Sequence, residues 1–110
     1  MRANFRDISV NDKIIIKIDP DLEDLIPGFL ANRARDVTTI RALLASGDFD
    51  GIRILGHSMK GAGGGYGFDR ITELGGTMET AAAAGDAATI AQANDALDDY
   101  LSRVEPVSDV

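Results

Sequence analysis

The chain has no cysteine and no tryptophan, one histidine, three prolines, and four phenylalanines and two tyrosines as its only aromatic residues. The missing cysteine excludes disulfides and thiolate metal sites and says nothing about compartment. The aromatic share of 5% implies an aliphatic, alanine-rich core, which suits close helix–helix packing better than a β-sandwich. No run approaches the ~20 apolar residues that cross a bilayer. The opening MRANFRDISV lacks the apolar stretch of a signal peptide, so a cytoplasmic protein is expected. Positive charge is scarce too: 11 Lys and Arg stand against 18 Asp and Glu, a net −7. That balance argues against nucleic acid and against anionic membrane surfaces as partners.

What is present is one ordinary domain. The 110 residues suffice for a single core, and 45% hydrophobic with 26% charged residues is the composition of a soluble globule. Residues 1–12 are polar and read as loose. Residues 13–18, KIIIKI, form a β-branched run that needs burial, as an extended segment lying against the rest. Asp19-Pro20-Asp21 is a helix start, with a capping Asp and a first-turn Pro, and Pro27 keeps that first helix short. A helix is expected over about 28–46, with Leu30, Ala34, Val37, Ile40 and Leu44 inward and Asn32, Arg33, Arg35, Asp36 and Arg41 outward. Gly-Asp pairs punctuate the rest of the chain. Gly47-Asp48 opens the next helix, Gly67-Phe68-Asp69 precedes one from about Arg70 to Ala84, and Gly85-Asp86 precedes one from about Ala87 to Val104. The third carries Ile71, Leu74, Met78 and Ala81; the last carries Ile90, Ala93, Leu97, Tyr100, Leu101 and Val104. Pro106 stops it, with a frayed tail beyond. Two- to three-residue connections make sequential helices antiparallel neighbours. The expected fold is all-α: an up-down-up-down four-helix bundle over residues 19–106, with a short N-terminal helix, an extension of residues 1–18 and a tail of 107–110. A monomer is the expectation.

The informative stretch is 49–67, FDGIRILGHSMKGAGGGYG. On a helical wheel Ile52, Leu55, Met59, Ala62 and Tyr66 fall within a stripe about 80° wide, and His57 falls nearly opposite its centre. The stripe is buried, so the imidazole faces water. Arg53 and Lys60 are its neighbours one turn away, and Gly61 and Gly64 leave the next turns bare. Ile54 lies about 60° from His57 on the exposed side. A helical glycine costs about 1 kcal/mol relative to alanine, so the glycine run is unfavourable for stability and reads as clearance on a flat, locally basic docking surface.

Most chemistries fail on this inventory. A metal site needs several convergent ligands, and Asp95, Asp98 and Asp99 read as a solvated face. Ser58 beside His57 points about 100° away from it, which argues against a catalytic triad. The glycines do not fit G-x-G-x-x-G, and Gly51-xxxx-Gly56 is followed by histidine rather than lysine, so no nucleotide site is visible and an autonomous kinase is a poor reading. Histidine as a covalent carrier remains. Neutral imidazole attacks phosphorus adequately, and Lys60, helped by Arg53, is placed to pair with the charge a phosphoryl group adds.

These residues reach a known family. His57-Ser58-Met59-Lys60-Gly61-Ala62-Gly63-Gly64-Gly65-Tyr66-Gly67 resembles the histidine phosphotransfer (HPt) motif, about H-x-L-K-G-S-S-x-x-[LFI]-G. Leu74…Met78-Glu79…Ala82…Gly85-Asp86 resembles its L-xxx-L-E-xx-A-xx-G-D stretch. Met59 replaces the usual leucine, and Ala62 and Gly63 stand where serines are common. The resemblance, over about residues 19–104, implies a phosphocarrier rather than an enzyme. His57 Nε2 would exchange a phosphoryl group with the aspartate of a response-regulator receiver domain or with a hybrid histidine kinase, the receiver supplying Mg²⁺. Lys60 would steady the phosphate, Gly61 and Gly64 would give clearance, and Arg53, Ile54 and Met59 would flank the docking surface. The alternative is a non-catalytic adaptor that binds a receiver without turning phosphate over.

Overall fold

A computed structural model of the chain describes residues 12–109; the loose segment expected before them falls outside that range except for Asp12. In order, the elements are β1 (Ile14–Ile18), a 3₁₀ helix (Pro20–Leu25), α1 (Ile26–Ala45), α2 (Phe49–Gly63), a 3₁₀ turn (Gly64–Tyr66), α3 (Asp69–Ala83), α4 (Ala87–Arg103) and β2 (Val104–Ser108). The four α-helices form the expected bundle, each packing on its sequence neighbour and α1 closing against α4. Ile40, Ile52, Met59, Phe68, Ile71, Met78, Ile90 and Leu97 are its fully buried centre.

Local chemistry sets the boundaries. Asp48 caps α2 by accepting from the Gly51 N–H, and Asp86 caps α4 by accepting from the Thr89 N–H. Gly47, Gly67 and Gly85 take left-handed φ of 73°, 92° and 67°, where a Cβ would be strained. Each lets the chain reverse after a helix.

Three expectations are corrected. The short N-terminal helix itself forms as expected, as a 3₁₀ helix capped by Asp19, and it runs directly into α1. Pro27 does not delay α1 to Gly28. It sits in the first turn of a helix that begins at Ile26, where backbone N–H groups lack helical partners anyway and a proline sacrifices nothing. On α1, Ala34 is exposed while Arg33 and Asp36 are half-buried. The Arg33 guanidinium lies 5.0 Å from the Phe29 ring and its Nε donates to Asp36 at 2.8 Å; burial, outweighing Arg33, pushes the Asp36 carboxyl above its usual value. Phe29 itself stacks on Tyr66 (4.5 Å) and Phe68 (5.6 Å), so the otherwise aliphatic core has an aromatic cap where α1 meets the end of α2.

The third concerns the tail. Helix α4 stops at Arg103, and Val104–Ser108 is a strand rather than a frayed end. It pairs in parallel with β1, Ile14 opposite Val104 through Ile18 opposite Ser108, and the Asp109 N–H donates to the Ile18 carbonyl. The isoleucine run thus finds its burial: Ile14, Ile16 and Ile18 pack on the core while Ile15 stays outside. No helix among the described residues is long and apolar enough to cross a membrane.

Candidate functional site

The wheel of α2 holds in three dimensions. Ile52 and Met59 are fully buried, Leu55, Ala62 and Tyr66 pack against the core, and the His57 side chain is 69% exposed. The helix continues through the glycine run, tightening to 3₁₀ geometry at Gly64–Tyr66 before Gly67 ends it.

The residues around His57 are set by how closely α2 and α3 approach. A Cβ on Gly56 would lie 2.8 Å from the backbone nitrogen of Glu79 and from the Gly75 carbonyl; one on Gly75 would lie 2.6 Å from the Lys60 nitrogen. These two glycines put the helices in backbone contact, and Gly63 does the same against Thr72. Such an approach admits no larger residue. Thr72 adds a stitch: its hydroxyl accepts from the Gly64 N–H at 2.8 Å and donates to the Lys60 carbonyl at 3.0 Å.

The approach delivers Glu79, on α3, to the face of α2 that carries His57 and Lys60. One carboxylate oxygen lies 2.8 Å from His57 Nδ1 and the other 3.0 Å from Lys60 Nζ. The hydrogen bond from Lys60, followed by that from His57, holds the Glu79 carboxyl below its usual range. Ionised, it can only accept hydrogen bonds. The proton of a neutral imidazole therefore sits on Nδ1, and the Nε2 lone pair is left on the opposite edge of an exposed ring.

The other anticipated residues are placed unevenly. Lys60 reaches the imidazole through Glu79, as its partner. Arg53 is engaged by Asp50 one turn away, at 2.8 Å. Ile54 is 54% exposed, a large apolar side chain next to the histidine. Gly61 borders open space, whereas a Cβ on Gly64 would meet Thr72 and Asp69 at ordinary contact distances of 3.6 and 3.7 Å. Met59 is wholly buried and flanks no surface. Asp95 and Asp98 pair with Arg41, and Asp99 with Arg103.

Glu79 and Thr72 carry site geometry that the sequence did not single out. Glu79 had a signal: it directly follows buried Met78, at the edge of the α3 stripe, within the second family-like stretch. Its partners could have been found by treating Gly56 and Gly75 as facing contacts between two helices.

An exposed imidazole with one nitrogen blocked by a carboxylate, a lysine beside it and glycines beyond thus sits on the second helix of a four-helix bundle. The family model for the Hpt domain matches residues 24–106; the chain belongs to this family, whose members carry phosphoryl groups on histidine in two-component phosphorelays. No curated protein and no solved structure matches it.

Proposed function

We propose that this chain takes a phosphoryl group on His57 Nε2 from the aspartyl-phosphate of a response-regulator receiver domain, or from a hybrid histidine kinase, and passes it on. The observation that carries the reading is the 2.8 Å contact between Nδ1 and Glu79, which leaves Nε2 as the free nucleophile. In the forward step the Nε2 lone pair forms the N–P bond, the P–O bond to the aspartate breaks, and its electron pair leaves with the carboxylate. No proton need move. Nδ1 keeps its hydrogen, the ring becomes a phosphorylated imidazolium, and Glu79 stabilises the positive charge that develops. Lys60, anchored 3.0 Å from the same carboxylate, is near enough to turn toward the added phosphoryl oxygens. The divalent cation and the aspartate belong to the receiver. Ile54 and the bare surface at Gly61 let a receiver approach the ring closely.

The test is phosphotransfer from a phosphodonor-loaded receiver, read by intact mass. Wild type should gain one phosphate that is acid-labile and alkali-stable. His57→Gln should fold, since the side chain is exposed, and gain none. Full labelling of His57→Gln would remove His57 from the reaction; no label on folded wild type from any of several receivers, or receiver-dependent function that survives the substitution, would instead establish the adaptor reading.

A further inference from the structure

Helix α3 carries two adjacent glycines in its interior, Gly75 and Gly76, where glycine is disfavoured. Backbone contact with α2 accounts for Gly75 and not for Gly76. A Cβ on Gly76 would meet no backbone; within 4 Å it would meet only the Lys60 side chain, Cδ at 3.3 Å and Cγ at 3.8 Å. The aliphatic stem of Lys60 therefore lies over the bare surface of Gly76. Residues three apart share a helix face, so a stem lying at Gly76 ends at Glu79, where Nζ is found at 3.0 Å. Half of the lysine side chain is covered in this way.

We propose that Gly76 is a positioning residue for Lys60: the missing side chain is a slot that lays the lysine along α3 and brings its ammonium to the carboxylate holding His57. The proposal rests on the carrier reading of His57 for its consequence, though not for its geometry. A methyl group at position 76 meets only a flexible stem that can give by a few tenths of an ångström. A branched side chain occupies the slot and displaces the lysine.

The experiment compares Gly76→Ala, Gly76→Leu, Lys60→Ala and the double variant Lys60→Ala/Gly76→Leu. The first readout needs no phosphate: the Glu79 carboxyl titration followed by carbon NMR. Gly76→Leu should raise the midpoint as far as Lys60→Ala does, and Gly76→Ala should leave it near wild type. The second is receiver-dependent phosphotransfer. Gly76→Leu and Lys60→Ala should each slow it by roughly five- to tenfold, and the double variant should be no slower than Lys60→Ala alone. Thermal melting should show both Gly76 variants folded. An unmoved Glu79 midpoint in folded Gly76→Leu overturns the proposal. So does a double variant slower than Lys60→Ala, which would mean that Gly76 serves docking along the groove it lines with Thr77 and Thr80. If wild type accepts no phosphate but the titrations behave as stated, the carrier reading fails and the positioning stands.

Discussion

At the scale of single residues, the site depends on one carboxylate shared by two partners. Glu79 fixes the histidine tautomer and anchors Lys60, so its removal should have two separable effects. Glu79→Gln keeps an oxygen that can accept the Nδ1 proton and loses the charge; Glu79→Ala loses both. Nitrogen NMR of the imidazole should show the Nδ1–H form persisting in Glu79→Gln and giving way to the Nε2–H form in Glu79→Ala. Phosphotransfer should fall by about tenfold in Glu79→Ala and by less in Glu79→Gln. An unchanged tautomer ratio in Glu79→Ala would remove the carboxylate from the mechanism. The pH dependence has a definite sign. Folding lowers the Glu79 carboxyl below its usual 4.5, so its stabilising contribution is fully present above that value and is lost as pH falls through the lower, folded value. The difference in melting temperature between wild type and Glu79→Gln should accordingly be level at neutral pH and close only in acid.

At the scale of elements, glycines in one helix serve different ends, and substitution should separate them. Gly56 is in backbone contact with α3. Gly56→Ala gains helix propensity worth about 1 kcal/mol but forces apart two backbones with no flexible atoms to yield, at a cost of about 2 kcal/mol or more; chemical denaturation should show net destabilisation, and Glu79 should withdraw from His57. Gly61 borders open space, so Gly61→Ala should stabilise by up to about 1 kcal/mol. A longer side chain there tests docking directly. Gly61→Gln should still be phosphorylated by phosphoramidate, a small donor, while receiver-dependent labelling drops. Equal loss with both donors would show that position 61 acts on the histidine itself rather than on partner approach.

At the scale of the whole molecule, a two-stranded ribbon joins the segment before α1 to the segment after α4. Strands β1 and β2 lie at opposite ends of the chain yet pair directly, and Lys13–Glu105 and Arg103–Asp12 ion pairs flank them. Exposed pairs of this kind contribute little; the stabilisation comes from covering Ile14, Ile16 and Ile18. Removing residues 104–110 should uncover these side chains and lower the melting temperature by several degrees, while circular dichroism keeps its helical signal and phosphoramidate still labels His57. Loss of helicity on truncation would make the ribbon part of the bundle's folding unit rather than a clasp on it.

Periodicity and punctuation determined most of the fold from sequence. Apolar residues every three or four positions, with Gly-Asp pairs between, specify four helices and the direction each faces. An outward His57 with Lys60 one turn away comes from the same wheel, because those relations lie within one helix. What crosses from element to element was decided only by tertiary structure. Glu79 reaches His57 because Gly56 and Gly75 let two backbones touch, and Asn94, polar on an apolar stripe, is buried because its amide donates to the Val37 carbonyl of α1. Arg33 and Asp36 are half-buried because they neutralise one another beside the Phe29 ring. The tail is a strand because the isoleucines of β1 offer it a partner. A single helix or strand does not encode the distance to its neighbour. That distance comes from how small residues and large ones fit across the interface, and it carries the carboxylate to the histidine.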